Sequence, residues 1–217
     1  MITNKEQSNL LKNYKTSLII NELYSKPKYM KVMFENKEFN FKYKIDEVNT
    51  ANKWNPNTSE PEQMGGFDFY AEDKILRWLV NGDTVYDVII PDGTKIIECS
   101  SELSPLGVIK SNKIIPTNPR HITDELAMNF YLKSNLPDKE YYKSLAGVAI
   151  MGYRNTALMI IKDKINKDNI TLALSEIENF IKSYQNKEIK KIFENNSEVY
   201  NEVMGILNNI KQNNGYS

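Results

Sequence analysis

The hydrophobic pattern of the chain changes near residue 123, and this change constrains the fold more than any single motif. Before it, short runs of β-branched and aromatic residues alternate with turn residues, as is typical of β-strands. After it, apolar residues recur at helical spacing. The predicted strands cover residues 29–34, 39–43, 67–70, 85–90, 94–99 and 108–115, and the predicted helices cover 124–133, 140–151, 155–164, 170–182, 187–194 and 198–210. Strands followed by helices predict the α+β fold class.

We therefore predict three parts: a helix over residues 1–24, an α+β domain over 25–122 with a small mixed sheet, and a helical domain over 123–217. The first helix rests on an apolar face that ends before Lys26-Pro27, and its members are Leu11, Tyr14, Leu18, Ile19 and Leu23.

Within the sheet domain, three local features are predicted. The first two strand segments, 29–34 and 39–43, form a hairpin. Residues 71–80 form a helix with Ile75, Trp78 and Leu79 on one side, and Asn81-Gly82 ends it. The segment Thr117-Asn118-Pro119 ends the last strand, and Thr123 or Asp124 caps the helix that follows.

Composition excludes several classes of function. The chain has 28 basic and 28 acidic residues, whereas nucleic-acid-binding proteins usually carry a basic excess. The single cysteine, Cys99, cannot form an intrachain disulfide, and the single histidine, His121, excludes a His-rich zinc site. A polar N-terminus and the lack of a long apolar run predict a cytoplasmic protein that does not associate with membranes.

The helical part has two interpretations. Val148-Ala149, Gly152, Thr156-Ala157 and Ile160-Ile161 resemble one ankyrin repeat, and a shift of about 32 residues aligns Phe180-Ile181 and Ile192-Phe193 with the first and last of these pairs. Lys164 stands where the repeat has glycine, and two copies are fewer than a stable array needs. The alternative is a bundle of amphipathic helices, so the segment is either a truncated ankyrin-like array or a bundle.

The sheet domain resembles the N-terminal domain of giant-virus ankyrin-repeat proteins. The resemblance depends on features that occur in the family's order, with Asn40 in place of a glycine and Gln63-Met64 in place of a cysteine that the family carries. They are Phe41-Lys42-Tyr43, Asp46-Glu47-Val48-Asn49, Trp54-Asn55-Pro56-Asn57, Gly65-Gly66-Phe67-Asp68-Phe69, Asn81-Gly82, the run from Tyr86 to Asp92, and Asn112-Lys113-Ile114-Ile115.

This resemblance implies a non-catalytic protein that binds another protein, encoded by a virus or phage and directed at a host factor in the host cytoplasm. We predict that recognition uses the loop over residues 49–64, with Trp54 and Asn55 as contacts, or the concave face of the helical part, with Tyr153 and Arg154 as contacts. No metal or cofactor is expected in this interpretation.

An alternative function is ADP-ribosyl transfer, because the order of a glycine-led strand, a helix and an apolar strand is similar in outline to that of ADP-ribosyltransferases. In that case Tyr43 or Tyr70 would stack on the nicotinamide of NAD, and Glu98 or Glu102 would stabilise the developing cation. The chain lacks the Glu-x-Glu motif, and aromatic residues that alternate along strands are usually core residues. The scattered acids Asp68, Asp73, Asp83, Asp87 and Asp92 are attributed to caps and turns, and no metal site is predicted.

Overall fold

The computed structural model describes residues 28–38, 40–58, 60–99, 106–183 and 187–213. The predicted helix over residues 1–24 and Glu102 lie outside these ranges. Among the described residues, strands come first in the chain and helices follow, so the predicted α+β class is confirmed.

A seven-stranded sheet is the centre of the N-terminal part, with β1 (Tyr29–Met33) as its middle strand. Every adjacent pair is antiparallel. The strand order is β4-β9-β6-β1-β5-β8-β7, where β4 is Asn49–Thr50, β5 is Phe67–Ala71, β6 is Thr84–Ile89, β7 is Ile96–Glu98, β8 is Val108–Ser111 and β9 is Lys113–His121. A separate two-stranded sheet pairs β2 (Lys37–Glu38) with β3 (Phe41–Lys42).

The prediction of a small mixed sheet is corrected by the position of β1. Strands β5 and β6 run in the same direction, as expected for strands on either side of a crossover connection, but β1 lies between them and is antiparallel to both. The predicted hairpin is also different. Glu35 and Asn36 adopt φ values of 47° and 59°, and this turn leads from β1 into β2, which pairs with β3.

Two further strand predictions need correction. The segment Thr117-Asn118-Pro119 does not end β9, because a bulge accommodates it: Asn118 and Pro119 together stand opposite the single residue Tyr86, and Asn118 has a φ of 50°. The helix predicted over residues 71–80 is present as a 3₁₀ helix, Glu72–Asn81, with Ile75, Leu76, Leu79 and Val80 buried.

The two faces of the sheet belong to different cores. On one face, Met30, Val32, Tyr70, Val85 and Val108 join the 3₁₀ helix and the helices to form the helix-side core. On the other face lies the aromatic core, formed by Met33, Tyr43, Phe67, Phe69, Tyr86, Val88, Ile109 and Ile114. The alternation of side chains along each strand explains this division, since successive residues of β1 enter opposite cores.

All six helices predicted after residue 123 are present within a few residues of their predicted bounds. They are α2 (Asp124–Lys133), α3 (Asp138–Ile150), α4 (Arg154–Lys164), α5 (Ile170–Ser183), α6 (Lys187–Asn195) and α7 (Ser197–Gln212), and a short α1 (Pro61–Met64) precedes them in the chain. Helix α3 is surrounded by the 3₁₀ helix, α4, α5 and α7. Gly147 permits the close approach to the 3₁₀ helix, since a Cβ there would lie 3.3 Å from Cβ of Val80.

Helix α3 contacts the 3₁₀ helix and α7, which are distant from it in the chain, whereas units of an ankyrin array contact only their neighbours in sequence; these contacts favour the bundle interpretation. The helix-side core continues from the sheet into the helices across residue 122. The division into domains at that residue stays a prediction.

Candidate functional site: an anchored loop around Trp54

Residues 53–58 and 60–66 belong to a loop, called the loop over residues 53–66, whose two ends are joined by main-chain hydrogen bonds. Gly66 N donates to Lys53 O at 2.8 Å, and Asn55 N donates to Met64 O at the same distance. Helix α1 lies between them and begins with Pro61, which suits the first turn of a helix because that position needs no amide donor. Compact surface loops with adjoining ends are often functional, and they are held by their own contacts.

Two glycines make this closure possible. Gly65 and Gly66 have φ values of 68° and 78°, in the left-handed region. A Cβ on Gly65 would lie 2.5 Å from Lys53 O, and one on Gly66 would lie 2.6 Å from the Trp54 ring. The indole of Trp54 therefore packs directly on the Gly66 backbone, which fixes the ring while leaving it only half-buried.

Asn55 follows Trp54 and is exposed. Its Oδ1 accepts a hydrogen bond from Asn57 N at 3.3 Å. The loop thus places an apolar ring and a polar amide side by side at the surface, both on a backbone that the glycines and main-chain bonds hold in place. Such a pair can supply apolar contact area and hydrogen bonding to a partner.

The sheet contains a buried polar cluster that sequence analysis missed. Lys31, which is 0% exposed, donates from Nζ to Glu38 Oε1 at 2.8 Å and to the Asp68 carbonyl at 2.6 Å. The Tyr43 hydroxyl donates to Glu38 Oε2 at 2.7 Å. Lys31 alternates with Met30 and Val32 in an apolar strand, and only this interruption of the strand by a charge could have indicated the cluster.

Charge pairing decides the protonation of this cluster. Burial alone would raise the pKa of the Glu38 carboxyl, but the Lys31 ammonium and the Tyr43 hydroxyl outweigh burial and hold that pKa below its usual range. Burial, reinforced by the Glu38 charge, raises the pKa of Tyr43. The Glu38 carboxylate lies between the Lys31 ammonium and the Tyr43 phenol, and each of the three groups has a hydrogen-bond partner within the cluster.

The residues considered for ADP-ribosyl transfer lie in three different environments. Tyr43 belongs to the aromatic core, whereas Tyr70 belongs to the helix-side core and stacks on Trp78 with ring centroids 4.4 Å apart. Glu98 is exposed on the edge strand β7. The space between β5 and β6, where a transferase cleft would be expected, is filled by β1.

The two contacts predicted in the helical part are placed next to each other but differ in exposure. Tyr153 is buried in the turn before α4, and burial together with Asp83 and Asp124 raises its pKa. Arg154 is exposed, and its Nε donates to Glu202 Oε2 of α7 at 2.7 Å. Of this pair, only Arg154 is accessible to a partner.

Two of the acids attributed to caps and turns, Asp68 and Asp87, instead lie within strands β5 and β6 and form ion pairs there. Asp68 pairs with Lys110 at 2.5 Å, and Asp87 accepts from Arg120 and from Asn118 Nδ2. Within the described ranges, no group of three or more His, Cys, Asp or Glu side chains is arranged to hold a metal ion. Cys99 is buried in the helix-side core, and burial raises its pKa.

Comparison with models of known protein families gave no match, and comparison with curated proteins and with solved structures also gave none. In the part of the chain that the structure describes, no helix has both the length and the apolar character needed to cross a membrane.

Proposed function

We propose that this protein acts by binding another protein through the loop over residues 53–66, with Trp54 as the central contact and Asn55 beside it. The observation that supports this proposal is the half-buried indole packed on Gly66 in a loop closed by main-chain bonds. An aromatic side chain that is already fixed loses little conformational entropy on binding, and tryptophan is enriched among residues that dominate binding energy.

The internal pairing of the charged groups also supports a role in binding. Lys31, Glu38 and Tyr43 bond to one another, and Arg77 donates from Nε to Glu140 at 2.8 Å between the 3₁₀ helix and α3. These groups have structural partners in the folded chain. Following the resemblance to giant-virus proteins, we propose that the chain is encoded by a virus or phage and that its partner is a host protein in the cytoplasm.

The test is a photo-crosslinking experiment in lysate of candidate host cells. A photoreactive amino acid replaces exposed Asn55 in one sample and exposed Leu132 of α2, which is 68% exposed, in the control sample. We expect a discrete host protein to be crosslinked at position 55 and absent at position 132. Trp54→Ala should remove that product, while thermal unfolding verifies that the variant is folded.

Two results would contradict the proposal. One is a set of crosslinked products that is the same at positions 55 and 132, since this would indicate nonspecific capture. The other is a product at position 55 that persists unchanged in Trp54→Ala. Addition of NAD should leave the melting temperature unchanged, whereas a rise would favour the alternative of ADP-ribosyl transfer.

A further inference from the structure

A polar cleft of about 220 Å³ lies where α3 begins, α4 ends and α5 begins. It is lined by Asp138, Tyr142, Asp163, Lys164 and Asn169. Asp138 is the first residue of α3, and Tyr142 follows four residues later on the same face of that helix. The cleft is separate from the loop over residues 53–66 and does not depend on the function proposed for it.

Some of the lining groups are already used by the fold. The Lys164 ammonium lies 4.2 Å from the centre of the Tyr141 ring, in a cation–π contact. The Asn169 side chain donates to Lys164 O at 2.9 Å and accepts from Asn166 N at 2.9 Å, which shapes the turn between α4 and α5. Asp163 accepts the Tyr131 hydroxyl on Oδ2 at 2.9 Å.

The remaining groups have no partner in the described part of the chain. They are the Asp138 carboxylate, Oδ1 of Asp163 and the hydroxyl of Tyr142. Tyr142 is only 4% exposed, yet its hydroxyl forms no hydrogen bond among the described residues, and the residue lines the cleft. The ring is buried, but the hydroxyl oxygen is not among the buried atoms that lack a partner, so it is open to the cleft and can contact a ligand there. Burial and the nearby Asp138 raise the pKa of Tyr142, which keeps its proton on the hydroxyl.

The charges of the cleft select the sign of that ligand. Two aspartates and one lysine give the lining a net charge of −1. The start of α3 and the end of α4 contribute partial charges of opposite sign, roughly +0.5 and −0.5, so the side chains decide the balance. The Lys164 ammonium contacts the Tyr141 ring, so it does not pair with the aspartates of the cleft. Their free oxygens are therefore acceptors for a ligand group that carries several N–H donors.

The size of the cleft limits the ligand further. Pockets for drug-sized molecules measure about 300–1,000 Å³, so this one is too small for a nucleotide but has room for one long side chain. We propose that the cleft binds an organic cation, a guanidinium or primary ammonium group, held by Asp138, Asp163 and the Tyr142 oxygen.

The test uses the full-length protein labelled with ¹⁵N and titrated with N-acetylarginine methylamide, N-acetyllysine methylamide and the neutral isostere N-acetylcitrulline methylamide. We expect one or both cations to shift the amide resonances of Tyr142, Asp163 and Asn169, and citrulline to shift none of them. Agmatine, which carries the same guanidinium without a peptide backbone, is a fourth probe. Tighter binding of agmatine would indicate a free amine as the source, and tighter binding of the blocked amino acid would indicate a protein side chain.

Variants test the individual groups. Asp138→Asn and Asp163→Asn should each weaken binding about two- to fivefold, the size typical of exposed ion pairs, and the amide oxygen introduced by Asp163→Asn still accepts from Tyr131. Tyr142→Phe, which removes only the hydroxyl, should weaken it about two- to tenfold. Asp168→Asn makes the same charge change in the adjacent turn, outside the lining, and should leave the affinity unchanged.

Three outcomes would overturn the proposal. Citrulline could bind as tightly as arginine, which would exclude charge recognition. Asp168→Asn could weaken binding as much as Asp163→Asn, which would indicate attraction to the general surface charge. Inorganic phosphate could shift the same amide resonances while the cations shift none, which would show that Lys164 and the start of α3 select an anion.

Discussion

Replacement of Lys31 by methionine should destabilise the protein strongly, although methionine matches the apolar character of its neighbours in β1. The ammonium of Lys31 bonds to a carboxylate and to a main-chain carbonyl in the interior of the sheet. Methionine fills a similar volume but donates no hydrogen bond. The variant therefore keeps the packing and loses the polar contacts, which makes the polar contribution measurable.

The expected magnitude follows from the two contacts. Removal of one partner of a buried ion pair costs about 3–5 kcal/mol. An unpaired buried carbonyl, here that of Asp68, costs about 1–3 kcal/mol within that total. The Glu38 side chain is 29% exposed, so water can solvate part of its carboxylate after the loss of Lys31. We therefore expect the free energy of unfolding to fall by about 3 kcal/mol, at the lower end of the range.

The assay is urea unfolding at pH 7, with Glu38→Gln and the double variant completing a double-mutant cycle. Glu38→Gln should cost about 2–3 kcal/mol, because it leaves the buried Lys31 ammonium without a counter-charge while the glutamine oxygen can still accept one hydrogen bond. The two changes should couple by about 1–2 kcal/mol, since each removes the same contact. Lys44→Met is the matched control. Lys44 and Glu47 form an exposed pair at 3.6 Å, and its loss should change stability by less than about 0.5 kcal/mol.

A loss of less than about 1 kcal/mol in Lys31→Met would refute the reasoning, because the ion pair would then contribute no more than an exposed one. Additivity of Lys31→Met and Glu38→Gln would refute it as well, because residues that share a contact must couple.

Three further predictions concern other parts of the fold. The folded-state pKa of Glu38 is lowered, so the stability that its charge contributes is complete above the unfolded-state pKa and is lost as pH falls below about 4.5. Urea unfolding between pH 3 and 6 should therefore show a steeper fall in the free energy of unfolding for wild type than for Glu38→Gln. Asp124→Ala should lower the free energy of unfolding by about 1–2 kcal/mol in thermal unfolding, because the Asp124 carboxylate accepts from Asn155 N at 2.7 Å and from Thr156 N at 3.0 Å. Asp124→Asn keeps an acceptor and should lower it less. Equal losses in the two variants would contradict a capping role. Gly66→Ala should lower the free energy of unfolding by clearly more than the roughly 1 kcal/mol expected for Gly93→Ala. Both glycines have positive φ, but only at Gly66 would a Cβ meet the Trp54 ring. Similar melting temperatures for the two variants would exclude that crowding.

The helices were predictable from sequence because each depends on local information. Residues 124–133 have their cap, Thr123, immediately before an apolar periodic segment, and the observed α2 has those bounds and that cap. Sequence analysis named Thr123 or Asp124 for a single cap. In the structure both residues act as caps, and Asp124 serves α4, which begins 30 residues later. The second role depends on the packing of α2 beside α4, which no local pattern encodes.

Most strands of the sheet were predictable, but their order was not. Strand β4 lies in a segment predicted as a loop, and the single strand predicted over residues 108–115 is divided between β8 and β9. Segments 67–70 and 85–90 flank a helical segment, which suggests neighbours in a sheet, yet β1 lies between them. Insertion of an earlier strand is a long-range event, and the β-branched and aromatic composition of each segment is the same whichever strand is its neighbour. The bulge at Asn118 was missed because Pro119 normally ends a strand. Here the left-handed φ of Asn118 allows β9 to continue.

The candidate sites also combine features that local sequence predicts with features that depend on long-range packing. Trp54 could be singled out as a candidate contact because a tryptophan between turn residues in a polar loop is visible in the sequence. Its fixed orientation was not predictable, since it depends on Gly66, twelve residues later, meeting the ring face. The cleft between α3 and α4 was likewise not predictable from the sequence, because it depends on residues that are distant in the chain.

Asp138 and Asp163 are 25 residues apart, and each occupies an ordinary position for an acid near a helix end or on a solvated surface. The feature that distinguishes them is the unpaired hydroxyl of Tyr142 between them, and that depends on the tertiary packing of two helices. The Tyr142 ring is buried, but its hydroxyl oxygen is open to the cleft, where water or a ligand can contact it. If Tyr142→Phe leaves the free energy of unfolding of the free protein unchanged or raises it, while it weakens binding of the cation, the hydroxyl serves the ligand and not the fold. If it lowers the free energy of unfolding by about 1 kcal/mol or more, roughly the value of a hydrogen bond, the hydroxyl has a structural partner instead, and the cleft loses its main support.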